Sequence, residues 1–110
     1  MEEYMKPTGN QILYLLTIRK LSEIKHVVRS VDVARLLDYS RASVHKMLGS
    51  LKEMDCIEQE YYGSIKLTAK GLKKADEYQK KYQVLADALA GVIDMPDNYL
   101  LGICNLIELL

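Results

Sequence analysis

SVDVARLLDYSRASVHKMLGSLKEMDCIEQEYYGSIKLT, residues Ser30 to Thr68, holds two helical patterns, a break between them and then a change of period. Val33, Ala34 and Leu37 fall at helical spacing, and Ser30 is placed to cap the helix they define. Asp38-Tyr39-Ser40 interrupts the pattern. Asp tolerates the left-handed backbone that a tight inter-helix turn needs, and Ser40 is a good N-cap for a second helix. Val44, Met47, Leu48 and Leu51 then form an i, i+3, i+4, i+7 stripe over a helix spanning about 40–54. Ala34 supplies the small residue where two helices cross closely. Ile57–Tyr61 and Ile65–Leu67 are β-prone runs around Tyr62-Gly63-Ser64, with Gly63 providing the positive φ of a hairpin turn. Helix, tight turn, longer helix and hairpin make a winged helix-turn-helix, which lays its second helix in the major groove of double-stranded DNA.

The flanks complete a mainly α chain with a small β-wing. Pro7 and Thr8 start a first helix running to about Leu21, with Ile12, Leu15, Leu16 and Ile18 inward. Val27-Val28 can add a short strand before the helix-turn-helix. Thr68 caps a long helix from near Ala69 to about Gly91, whose seam reads Leu72, Ala75, Tyr82, Leu85 and Leu89. Asp94-Met95-Pro96 starts a last helix from about Asp97. In it Tyr99, Leu100, Leu101, Ile103, Leu106, Ile107, Leu109 and Leu110 spread around most of the circumference. A helix apolar all round is buried on all sides, and a second copy of the chain is the expected cover. The expected organisation is a winged helix-turn-helix over residues 1–72 and C-terminal dimerisation helices over 73–110, in one continuous domain. The expected homodimer interface uses Leu85, Leu89, Tyr99, Leu100, Ile103, Leu106, Ile107 and Leu110.

The net charge of zero hides a division. All 15 lysines and arginines lie at or before Lys81, while four of the 15 acidic residues come after it, so residues 1–81 carry +4 and the remainder −4. This suits nucleic acid at one end and another partner at the other. Cys56 and Cys104 are too few for a disulfide scaffold and lack zinc spacing, so reduced thiols and no disulfide-linked partner are expected. MEEYMKPTGN carries no apolar signal core and no run is long enough to span a bilayer, so a cytoplasmic protein without membrane contact is expected. The chain shows no Ser-His-Asp, Cys-His or paired-carboxylate set and no glycine-rich phosphate loop, which argues against an enzyme.

The run DVARLLDYSRASVHKMLGSLKEMDCIEQEYYGSIKLTAKGLKKADEYQKKYQVLADAL resembles the iron-dependent repressor family, and the likeness extends from about Gln11 to Leu110. Its most specific part is the second helix followed by the wing, Leu67-Thr68, Lys70-Gly71 and a long helix. The resemblance implies a dimeric, DNA-binding transcription regulator that reads the major groove from the first turns of the 40–54 helix. Ser40, Arg41, Ala42, Ser43, His45 and Lys46 stand there, with Tyr62 and Lys66 on the wing. Many relatives have Pro at the Arg41 position; Arg41 can reach a phosphate or a guanine edge instead. The family's metal-ligand positions fall near Thr8 or Gln11, on Gln83 and Asp87, and on Asn105, Glu108 and Leu109. Asp87 and Glu108 keep ligand chemistry, Cys104 enters one residue off register, and no imidazole is supplied. Both histidines, His26 and His45, lie elsewhere. The expectation is therefore no cofactor and a regulator whose metal control is lost or weak, with Mn or Fe on Asp87, Cys104 and Glu108 as the alternative. The other functional classes are a redox- or ligand-responsive regulator and a winged-helix module that binds protein.

Overall fold

The computed structural model describes residues 6–60, 63–92 and 99–110. Its order is α1 (Gly9–Ile24), α2 (Ser30–Leu37), α3 (Arg41–Glu53), β1 (Ile57–Gln59), β2 (Ile65–Leu67), α4 (Ala69–Ala90) and α5 (Tyr99–Leu109). α1 is the central helix. Thr8 and Gln11 close a capping box at its start. Leu13, Tyr14 and Thr17 are buried in addition to the expected Ile12, Leu15, Leu16 and Ile18. α5, α4, α2, α3 and β2 all pack on it, which explains burial around most of its girth. The one buried polar side chain among these, Thr17, donates its hydroxyl to the Leu13 carbonyl.

Asp38 closes α2 at φ 58°, in the left-handed conformation expected of the tight turn. Tyr39 comes next and rests against Tyr14 of α1, ring centroids 6.1 Å apart, which seats the turn on the central helix. The start of α2 differs from expectation: the N-cap is Arg29 and Ser30 is already helical. Asp32 does the capping, accepting from the Arg29 backbone N–H at 2.9 Å and pairing with Lys25 at 2.7 Å. The Lys25 hydrogen bond and then the backbone N–H hold this carboxyl below the usual carboxylate range. The reach of Asp32 back to the Arg29 N–H makes Arg29 the N-cap and leaves Ser30 as the first helical residue.

Ser40 caps α3 by accepting from the Ser43 N–H at 3.1 Å, and Val44, Leu48 and Leu51 enter the core with Met47 half-buried. Asp55 then adopts φ 60° and turns the chain into the wing. The antiparallel register pairs Ile57 with Leu67, Glu58 with Lys66 and Gln59 with Ile65, and Gly63 sits at φ 81°. The short strand expected at Val27-Val28 is a single bridge, with Ile65 N–H donating to the Val28 carbonyl at 2.7 Å.

Thr68 ties the wing to the long helix. Its hydroxyl accepts from Gly71 N–H at 3.0 Å and donates to the Asp55 carbonyl at 2.6 Å, while its own N–H donates to the Cys56 carbonyl at 3.0 Å. Position 72 lies in the first turn of α4, so the helix runs across the division expected there. The α4 seam is Gly71, Ala75 and Tyr78, continued by half-buried Tyr82, Leu85, Ala86 and Leu89. Leu72 is outside it, 45% exposed, because the close approach of Gly71 to Cys56 fixes the rotation of the helix. Within the single chain α5 is buried on one side, where Ile103, Cys104 and Ile107 enter the core chiefly against α1. The expected start of this helix at Asp94-Met95-Pro96 lies outside the described residues.

Candidate nucleic-acid interface

The α3 stripe that faces the core leaves Arg41, Ala42, Ser43, His45 and Lys46 exposed together. Ser40 and Ser43 share a hydroxyl–hydroxyl hydrogen bond of 2.9 Å, which orders the first turn of the helix. The free N–H groups and positive dipole end of that turn favour an anion such as phosphate. Among the described residues, Arg41, His45 and Lys46 enter no ion pair. An open groove of about 630 Å³ runs beside this face, between α3 and the start of α1, with Asn10, Tyr14, Lys46 and Leu101 among its walls.

The wing is less suited to DNA. Lys66 pairs with Glu60 at 2.8 Å, and that carboxylate raises the lysine above its ordinary pKa. Glu58 stands directly across the strand pair from it. The described part of the wing therefore presents its cation already neutralised by acids, and phosphate must compete for it. Tyr62 lies outside the described residues.

The three metal candidates are apart in role. Glu108 accepts from the Gly9 backbone N–H at 2.6 Å. Asp87 accepts from the Gln83 side-chain amide at 2.9 Å, one turn away on an exposed face of α4. Cys104 is fully buried, and burial pushes its thiol up to about 11. Among the described residues no three His, Cys, Asp or Glu side chains gather at a common point. Fe²⁺ or Mn²⁺ needs several converging oxygen or imidazole donors, and these residues do not fit that need.

Cys56 is also a free, buried thiol. It leans on the Met54 carbonyl with Sγ 3.7 Å from the oxygen, and burial raises it too. Thiolate chemistry requires an exposed, stabilised anion, and both environments oppose one. Iodoacetamide at pH 8 should leave both thiols unmodified in the native protein and modify both in denaturant. Mass spectrometry of the intact chain reads the difference.

The expected dimer residues divide in the same way. Ile103 and Ile107 are enclosed within the chain and are removed from the set facing outward. The reason is that α5 docks closely on α1. Leu85 and Leu89 are half-buried, whereas Leu100, Leu106 and Leu110 are exposed. Val84 and Leu109, not in the expected set, are 69% and 81% exposed. The side chain of Tyr99 lies outside the described residues. Gln11, which the sequence placed only near a family metal-ligand position, joins α1 to α3 through a 2.7 Å hydrogen bond to Ser50, which the sequence did not single out. The signal for Gln11 was local, since Thr8-Gly9-Asn10-Gln11 has capping-box spacing. Nothing local marks Ser50.

This order of elements, with a polar second helix and a two-stranded wing, defines a winged helix-turn-helix. Residues 11–65 match the family described as "Iron dependent repressor, N-terminal DNA binding domain". The chain belongs to the iron-dependent repressor family. It is 32% identical over 94 residues to the HTH-type transcriptional regulator MntR of Shouchella clausii (strain KSM-K16), covering 86% of this chain and 65% of that one. Among solved structures it is similar to T. acidophilum IdeR, with a TM-score of 0.70 and 25% identity over 88% of this chain and 46% of that one. A point mutant of S. aureus MepR, at 18% identity and TM-score 0.64 over 98% of this chain and 81% of that one, shares the fold. The chain thus spans under two thirds of the MntR relative and about half of the IdeR chain. Among the described residues, no helix is long and apolar enough to cross a membrane.

Proposed function

We propose that the protein is a dimeric, cytoplasmic transcription regulator that binds double-stranded DNA through the first turns of α3, without divalent metal as its switch and without enzymatic activity. The observation that carries the reading is the exposed Ser40–Lys46 face, with a capped helix N-terminus and three basic side chains that enter no ion pair among the described residues. The family membership of residues 11–65 supports it. Asp87, Cys104 and Glu108 do not gather into a donor set among the described residues, which supports control by something other than Fe²⁺ or Mn²⁺. Selection of duplexes from a random pool, with chelator and with added Fe²⁺ or Mn²⁺, tests the whole reading. One motif recovered equally under both conditions is the expected result. No enrichment, or enrichment only with metal, overturns it.

Arg41 is the residue expected to read a base. Its replacement by alanine should weaken binding to the recovered motif by about 1–3 kcal/mol and relax preference at one position. Fluorescence anisotropy with the motif and a scrambled duplex measures both effects. Lys66 should matter much less, since Glu60 holds it.

The dimer contact is assigned to the outward apolar side chains of α4, α5 and the residue that follows it: Val84, Leu100, Leu106, Leu109 and Leu110. A stable contact of this kind buries about 800 Å² per partner. Light scattering at tens of micromolar should report twice the chain mass, and Leu109→Lys should shift it toward the monomer. Two copies would meet half-sites about one helical turn apart, or a multiple of it.

A further inference from the structure

The start of α1 is joined to both ends of the molecule's working parts. Its first turn contains no acidic residue, so nothing local complements the positive end of the helix dipole. Glu108 of α5 supplies the missing charge, its Oε1 2.6 Å from the Gly9 N–H. The approach is possible because position 9 is glycine: a Cβ there would stand 2.9 Å from the Asn105 Cα and closer still to its side chain. Two residues on, Gln11 is used at both ends of its amide. Its Oε1 accepts from the Thr8 N–H at 2.9 Å, and its Nε2 donates to the Ser50 hydroxyl of α3 at 2.7 Å. Ser50 lies two turns beyond Ser43, so the two share a side of the recognition helix. On that side a groove beside Lys46 and Ser43 lies between α3 and the start of α1, and Ser50, which accepts from Gln11, forms part of its wall.

We propose that Glu108, Gln11 and Ser50 form a side-chain relay through which docking of α5 sets the rotation of α3, and with it the presentation of Ser43 and Lys46 to DNA. The three are positioning residues and need touch no nucleotide. Glu108 fixes the first turn of α1; that turn fixes the Gln11 side chain; Gln11 holds α3 by its polar side while Val44, Leu48 and Leu51 hold it by the other. The relay rests on the DNA-binding reading above for its output, but its mechanics do not.

A double-mutant cycle on the full chain tests it. Glu108→Ala and Ser50→Ala should each lower affinity for the selected duplex about threefold to tenfold, the effect of one hydrogen bond. In the double variant the second change should add nothing, because both cut the same connection. Glu108→Gln keeps an acceptor for the Gly9 N–H and should recover most of the loss. Amide hydrogen exchange on the free protein provides the second measurement: Val44 to Met47 should exchange faster in each single variant and no faster in the double. Independent, additive effects on affinity would overturn the relay, as would unchanged α3 exchange in Glu108→Ala. Should that variant fail to fold, Gln11→Leu, which cuts the middle of the relay, replaces it in both measurements. A chain that binds no duplex would refute the DNA-binding reading while the exchange data still decide the relay.

Discussion

Replacing Gly71 with alanine should lower the stability of the protein by about 2–3 kcal/mol, although alanine is the better helix former. In an open helix the change gains up to about 1 kcal/mol. Here a Cβ would stand 1.9 Å from the Cys56 carbonyl oxygen and 2.8 Å from its carbon. The obstacle is backbone, so no rotamer relieves it, and α4 must move off the wing. Such a shift also stretches the three hydrogen bonds made by Thr68. Gly49→Ala is the internal control: it sits in α3 with nothing within 4 Å of the added carbon, and should be neutral or stabilising. Urea unfolding of the two variants beside the parent gives both values. Equal and small effects would show that the wing and α4 are less tightly joined than their geometry indicates.

The second large effect is expected at Ile107, which is 2% exposed between α5 and the central helix. Truncation to alanine removes buried methyl and methylene groups and leaves a cavity, so about 2–4 kcal/mol should be lost. Leu109, two residues away, is 81% exposed, and its truncation should change unfolding of the dilute protein by no more than about 0.5 kcal/mol. The pair separates the two roles of α5, inward packing and outward contact. A loss at Leu109 as large as at Ile107 would mean that its face is covered in solution even at low concentration.

Residues 30–68 were legible because their signals are local. A left-handed Asp38, the Ser40 and Thr68 caps, the α3 stripe and the Gly63 turn each depend on neighbours within four residues or so. The misreadings share the opposite property. Leu72 and Gly71 differ by one step of the helix, and only the distant Cys56 carbonyl decides which faces in. Ser30 has the chemistry of a cap, but the reach of Asp32 back to the Arg29 N–H sets the N-cap one residue earlier. The apolar circumference of the last helix said that it would be covered, but not that α1 would take Ile103 and Ile107 for itself. At the candidate interface, the exposure of Arg41, His45 and Lys46 follows from the helical phase set by Val44, Leu48 and Leu51, whereas Ser43 came from the family resemblance. The pairing of Lys66 with Glu60 across the wing, and of Gln11 with Ser50 across 39 residues, required the fold.

The triple anchorage of Thr68 has a mechanical consequence. It welds the wing and the turn after α3 to the foot of α4, so that these parts move as one body. α4 has 22 residues and is therefore about 33 Å long, a rod pivoted at the wing. A tilt of only about 5° would carry its far end roughly 3 Å, close to the rise of one base pair at about 3.4 Å. Leverage of that ratio works in both directions. In the dimer proposed above, a small adjustment where two such rods meet would become a base-pair-sized change in the spacing of what they hold.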